Sequence, residues 1–233
     1  MKETRIPVFA EAIYVIGLLL LSLSVAMIAS TGFGVSMVVA PAYILSLKWT
    51  ALTFGQWEYV VQGVLFIAFC VLMRRVKLVY FSSFLTGVIY GALLDLWRLV
   101  IPHFNPAVTP PGTLSLPLCT VYFVIGMLLT AVSVAILFRT YFYPQVYDFF
   151  VKGISERFHF DRSKCKIVFD VSCLVVSCGL TLLLFGRPEG IGIGTIVMTV
   201  CNGLLIAAAG KGFDRLFSVV PAWPSLAARF SIL

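Results

Sequence analysis

Charge is what this sequence has least of. Only 12% of its 233 residues are Asp, Glu, Lys or Arg, while 61% are hydrophobic; a soluble domain carries about 25% charged residues. With a mean hydropathy of +1.04, one core cannot hide this much apolar surface while leaving so little charge to face water. An ordinary water-soluble domain is excluded, and lipid must cover the remainder. Chemical signatures are equally scarce. The cysteines, Cys70, Cys119, Cys165, Cys173, Cys178 and Cys201, contain no C-x-x-C and read as small buried hydrophobes. His103 and His159 have no metal-ligand spacing, and no Ser/His/Asp set, zinc signature or phosphate loop occurs. The sequence therefore implies no enzyme and no cofactor.

The charge that exists is unbalanced, at +7, but it lies between apolar runs and forms no basic stripe with stacking aromatics, so nucleic acid is not an expected partner. A bilayer core about 30 Å thick needs about 20 apolar residues of helix. Six such runs are present, at residues 12–30, 56–73, 78–97, 116–138, 167–186 and 190–210. With the amino terminus inside, fourteen Lys and Arg (2, 5, 74, 75, 77, 139, 152, 157, 162, 164, 166, 211, 215 and 229) are cytoplasmic, and only Lys48, Arg98 and Arg187 are external. This bias predicts six spans with both termini cytoplasmic. An amino-terminal secretory signal is disfavoured because the first apolar run exceeds the usual length and its pattern recurs inside the chain.

Two stretches fit poorly as spans. Residues 33–47 are too short, carry Pro41, and would reverse every later loop if they crossed; residues 144–158 alternate apolar positions with Asp148, Lys152, Glu156 and Arg157. Both are expected to be re-entrant or interfacial helices.

The chain also repeats itself. Residues 14–27 (YVIGLLLLSLSVAM) match 123–136 (FVIGMLLTAVSVAI) without gaps at an offset of 109, with identity at eight of fourteen positions. After each copy come a short segment, a span opening near a carboxylate, and a span with a central glycine; Glu58 pairs with Asp170 and Gly91 with Gly203, both at an offset of 112. Three spans per copy make the second enter from the opposite face. The expected fold is an all-α polytopic membrane protein of two inverted three-helix repeats, each with a short helix: residues 1–97, an external proline-rich linker at 98–115, residues 116–210, and a cytoplasmic tail at 211–233.

Inverted repeats supply two related conformations, so transport of a small molecule or ion is the leading expectation. The alternative is an accessory protein whose segment 144–166 binds a partner protein or anionic lipid; membrane lipid is a partner either way, and homo-oligomers are compatible with both. The candidate substrate-binding residues are Gly32, Gly34, Ser36, Glu58, Gln62, Tyr90, Asp170, Gly192, Gly194, Thr195 and Asn202. Glu58 and Gln62 share a helix face, with Asp170 as the repeat counterpart of Glu58. These acids serve either as gates or proton acceptors, or as caps for their own helix starts. The glycines expose backbone amides to an anion, or let helices pack closely. Tyr90 and Asn202 are repeat equivalents that either face the bundle axis or bond between helices. Glu11 and Asp95 read as interfacial and solvated. A transporter should enclose a polar cavity between the repeats, and a scaffold a dry interior.

Gly32-x-Gly34 with Pro41, Thr53-Phe54-Gly55, Gly87 and Gly91 with Asp95, and Gly192-x-Gly194-Thr195 with Gly203 resemble the YczE/YitT-like group of small bacterial multi-pass membrane proteins. In that group a Pro, often with a nearby Asp, follows the glycine pair. Here the first copy has Val35-Ser36-Met37, while the second keeps Pro144 and Asp148 but carries Tyr141 and Tyr143 in place of its glycines. The resemblance implies a duplicated helical fold in the bacterial inner membrane.

Overall fold

The computed structural model describes residues 6–74, 80–142 and 145–230. Lys2, Arg5, Arg75, Lys77, Tyr143 and Pro144 lie outside the described residues. Six helices are long and apolar enough to cross a membrane: α1 (Ala10–Ser30), α3 (Phe54–Met73), α4 (Tyr80–Val100), α5 (Leu116–Leu137), α7 (Arg162–Phe185) and α8 (Ile193–Leu216). Two short helices, α2 (Ala40–Lys48) and α6 (Val146–Phe158), fall in the two segments read as non-spanning, and α9 (Pro224–Phe230) follows near the end. The chain is an all-α polytopic membrane protein.

Local chemistry sets the helix ends. Thr53 opens α3 in a capping box with Gln56, and Asp161 caps α7 by accepting from the Lys164 N–H at 2.9 Å, so that first-turn amides find acceptors. Pro41 and Pro117 stand at the starts of α2 and α5, where a missing N–H costs nothing. Gly186 ends α7 in the left-handed conformation at φ 69°.

Helices α1 and α5, the two copies of the matching sequence, form the central pair and run in opposite directions. Gly17 of α1 lies under the Leu137 side chain, Gly126 of α5 lies under Ile28, and between them the Thr130 hydroxyl donates to Ser24 Oγ at 2.9 Å. The contacts are reciprocal, because Gly126 and Leu137 are the 109-offset counterparts of Gly17 and Ile28. Around this pair, α4 packs on α1 and α8 on α5; α2 packs on α3 and α6 on α7; α2 also reaches α7, and α6 reaches α3. Two pairings break the pattern: α3 packs along α4 and α4 reaches α6, whereas among the described residues α7 does not pack along α8, nor α8 on α2.

Both short helices bury their amino-terminal halves and expose their carboxyl-terminal ends. Val146, Tyr147 and Phe149 of α6 are almost wholly enclosed, as are Pro41 to Ile44 of α2. The described part of this segment, α6, is therefore built into the bundle rather than laid on its surface.

Several expectations need correction. Residues 6–9 form a strand, β1 (Ile6–Phe9), paired in parallel with β2 (Phe217–Val220), so the fold carries one small sheet. Helix α8 continues to Leu216, and β2 then docks on the start of the chain, so residues 211–220 are no free tail. The linker is anchored, with the Gly112 N–H donating to Ser30 O at 3.1 Å, and within it Pro102–Phe104 forms a 3-10 turn. Nor is Glu11 merely solvated. It accepts from Tyr141 Oη at 2.6 Å and from the Ala222 and Trp223 N–H groups at 3.0 and 3.1 Å, tying three segments together. Desolvation and the bond to Glu11 push the Tyr141 hydroxyl up to about 12, so it remains a donor at physiological pH. Asp95 likewise anchors the start of α3, accepting from Thr53 Oγ1 and from the Gly55 N–H.

The unequal packing of the two halves makes a prediction at equivalent glycines. A methyl group at Gly91 meets Tyr59 at 2.5 Å and the Gly55 carbonyl at 2.7 Å, whereas one at Gly203 meets nothing within 4 Å. Gly91→Ala should lower thermal stability in detergent by about 1–3 kcal/mol through overpacking. Gly203→Ala should be neutral or stabilising by up to about 1 kcal/mol.

Candidate functional site

The eleven candidate residues fall in four places. The first is a crossing of the two glycine segments. The Val35 N–H donates to Gly190 O at 3.3 Å and the Gly194 N–H to Phe33 O at 2.8 Å, while Thr195 Oγ1 donates to Val35 O at 2.7 Å. Gly34 sits against Gly192 and Thr195 too closely for a side chain, and its φ of 96° suits glycine alone. Gly32, at φ 71°, lies against the Gly112 backbone. Ser36 O accepts from the Val39 and Ala40 N–H groups and so starts α2. These glycine segments bond to each other.

The second place lies among α3, α4 and α6. Glu58 and Gln62 are fully buried, and Glu58 Oε2 accepts from Gln62 Nε2 at 3.1 Å and from Tyr147 Oη at 2.9 Å. The remaining oxygens, Glu58 Oε1 and Gln62 Oε1, are enclosed and have no hydrogen-bond partner among the described residues. A methyl group at Gly87 would overlap the Gln62 amide, so α4 makes room for it. Tyr90 is fully buried in the same helix. A polar pair of this kind, inside a membrane span, is expensive unless satisfied. Here Tyr147 satisfies one carboxylate oxygen, Glu58 Oε2, across the boundary between the two sequence halves, while Glu58 Oε1 and Gln62 Oε1 stay without a partner among the described residues.

Asp170 is held quite differently. Lys166 bridges it at 3.2 Å and Asp148 of α6 at 3.0 Å. The repeat explains the contrast, because the counterpart of Lys166 is Phe54, that of Gln62 is Leu174 and that of Tyr147 is Val38. Neither acid caps its helix, since Thr53 and Asp161 do so. Asn202 is separate again, on α8, its amide oxygen enclosed without a partner among the described residues.

Between α3 and α7, with α2 at one end and α6 at the other, lies a cavity of about 970 Å³, at the upper end for ligand pockets. None of the eleven candidates lines it. Its walls are apolar and follow the repeat. Val38, Pro41 and Leu45 of the α2 segment face Tyr147, Phe150 and Ile154 of α6 at an offset of 109; Val60, Val61 and Val64 of α3 face Ser172, Cys173 and Val176 of α7 at an offset of 112. This cavity is apolar, unlike the polar one expected of a solute carrier. Tyr147 joins the two features, lining the cavity while bonding Glu58. Sequence reasoning missed it because its counterpart, Val38, is apolar, although the repeat offset does lead from one to the other. Among the described residues no group of three His, Cys, Asp or Glu is placed to hold a metal ion.

Removing the Tyr147 hydroxyl leaves a buried carboxyl with one donor fewer. Tyr147→Phe should therefore lower thermal stability by about 1–3 kcal/mol. Tyr122→Phe, which removes only the exposed bond to His103, should stay within about 0.5 kcal/mol of the unmodified protein.

Residues 8–211 match the model of a family of unknown function, DUF6198. The chain is 30% identical over 193 residues to "Uncharacterized protein YyaS" of Bacillus subtilis (strain 168), covering 83% of this chain and 88% of that one. No solved structure matches it. This chain, with six apolar helices of which α1 and α5 form the central pair, belongs by its match over residues 8–211 to DUF6198, a family of unknown function.

Proposed function

We propose that this protein is a membrane transporter, not an enzyme, working by alternating access between two inverted repeats. The observation that carries the reading is the combination of matched frame and unmatched closure. Counterpart helices α1 and α5 run in opposite directions with reciprocal contacts, and most other pairings recur in both halves, yet α3 packs along α4 while α7 stands away from α8. Two halves of one design held in unlike states are what alternation requires, since exchanging the states turns the site toward the other face. The fully buried Glu58–Tyr147 bond, made between halves, is suited to break during that exchange. The apolar cavity lies where the halves meet, which favours an apolar or amphipathic substrate over an ion.

The resemblance to the YczE/YitT-like group belongs to this reading, with a bacterial inner-membrane location. So does an orientation with both termini cytoplasmic, by the Lys and Arg bias. The accessory alternative is favoured by the apolar lining of the cavity and by the exposed residues 156–161 beyond the buried part of α6, where a partner protein or anionic lipid would meet the chain.

Cross-linking tests the exchange. Gly63 faces Phe84 within 3.6 Å of its missing side chain; the 112-offset counterparts, Val175 and Ile196, are each 65% exposed. With the native cysteines replaced, the Gly63→Cys/Phe84→Cys pair should cross-link in membranes, and so should Val175→Cys/Ile196→Cys as the other state is visited. Cross-linking at the first pair and never at the second would count against alternation.

A further inference from the structure

We propose that the cavity between α3 and α7 is a binding site for an anionic phospholipid, with acyl chains in the cavity and the head group held at its α6–α7 mouth by Lys164 and His159. The site goes beyond the transport reading and stands without it.

Access comes first. Val64 and Val168, on opposite walls, are 63% and 66% exposed, so in a bilayer the cavity opens sideways to the surrounding lipid. Hydrocarbon enters such a space without losing hydration, whereas a polar solute would give up its water to walls that offer few hydrogen bonds.

Charge then selects among lipids. The charged groups lining the cavity lie at one end only: Asp161 and Lys164, next to His159. The Asp161 carboxylate is engaged in capping α7. Deeper in α7, Lys166 is neutralised by Asp148 and Asp170. Lys164 is exposed and makes no ion pair among the described residues. A cation therefore stands free at the mouth of an apolar slot, which is complementary to an anionic head group above acyl chains. Basic positions between membrane helices bind such head groups, and each Lys near the surface contributes about 1 kcal/mol toward anionic lipid. The repeat sharpens the assignment. The 112-offset counterpart of Lys164 is Leu52, so the other end of the cavity lacks this cation and the lipid has one orientation.

Native mass spectrometry of the full-length chain, delipidated in detergent and titrated with phosphatidylglycerol or with phosphatidylcholine of the same chains, tests the proposal. Phosphatidylglycerol should be retained about fivefold better. Lys164→Gln should bring the ratio near one without weakening phosphatidylcholine, and Val64→Trp should reduce retention of both. Because Val64 and Val168 are lipid-exposed, Val168→Trp on the opposite wall serves the same purpose if circular dichroism shows that Val64→Trp has misfolded. Equal retention of the two lipids by the unmodified protein, unchanged retention in the folded tryptophan variant, or retention of palmitate but not phosphatidylglycerol would overturn the assignment. Cross-linking at 175 and 196 reads alternation alone, so each failure is distinguishable from the other.

Discussion

A peptide group in a hydrocarbon environment must find its hydrogen bond within the protein, because no water is there to supply one. The chain breaks its helices after α1 and before α8, and each break supplies what the other lacks: Val35 with Gly190, Phe33 with Gly194, and Thr195 with Val35. Glycine is needed at position 34 because the two backbones approach too closely for a side chain and the φ is positive. This crossing fixes where α2 starts, through Ser36, and therefore where the wall of the cavity stands. The opposite end of the cavity is walled by α6, whose Tyr147 is held by Glu58.

Upon this frame the two halves carry different polar chemistry. Glu58 and Asp170 occupy equivalent positions, but one is sealed among Gln62 and Tyr147 while the other shares a lysine with Asp148. Six pairs of lining residues keep the repeat, whereas the charged residues of the lining, Asp161 and Lys164, have no counterpart in it. Divergence has collected at the polar positions, as it must if each half does a different part of one task.

Much of this was legible in the chain. Helix length and hydropathy located all six spans to within a few residues at most ends, because the bilayer leaves few alternatives to a long apolar helix. The repeat offsets were legible too, and they lead directly to paired cavity walls. What was hidden depends on contacts far apart in sequence. Four residues containing Pro7 do not read as a strand without Phe217–Val220 beside them. The glycine segments announced close approach, but not that each was the other's partner across about 160 residues. The continuation of α8 to Leu216 was obscured by Lys211, Asp214 and Arg215, of which Asp214 is paired with Arg139. Glu58 was visible as an anomaly, whereas Tyr147, which explains it, sat in a segment whose charges suggested a surface helix.

The central claim is that the two halves of the chain cross the membrane in opposite senses. Trp49 and Phe158 are 109-offset counterparts just past α2 and at the end of α6, and both are exposed, at 47% and 44%. Single cysteines at these positions, in a chain otherwise free of cysteine, can be treated with a membrane-impermeant maleimide in intact bacterial cells. The account predicts labelling of Trp49→Cys from outside and of Phe158→Cys only after permeabilisation; labelling of both from the same face contradicts it.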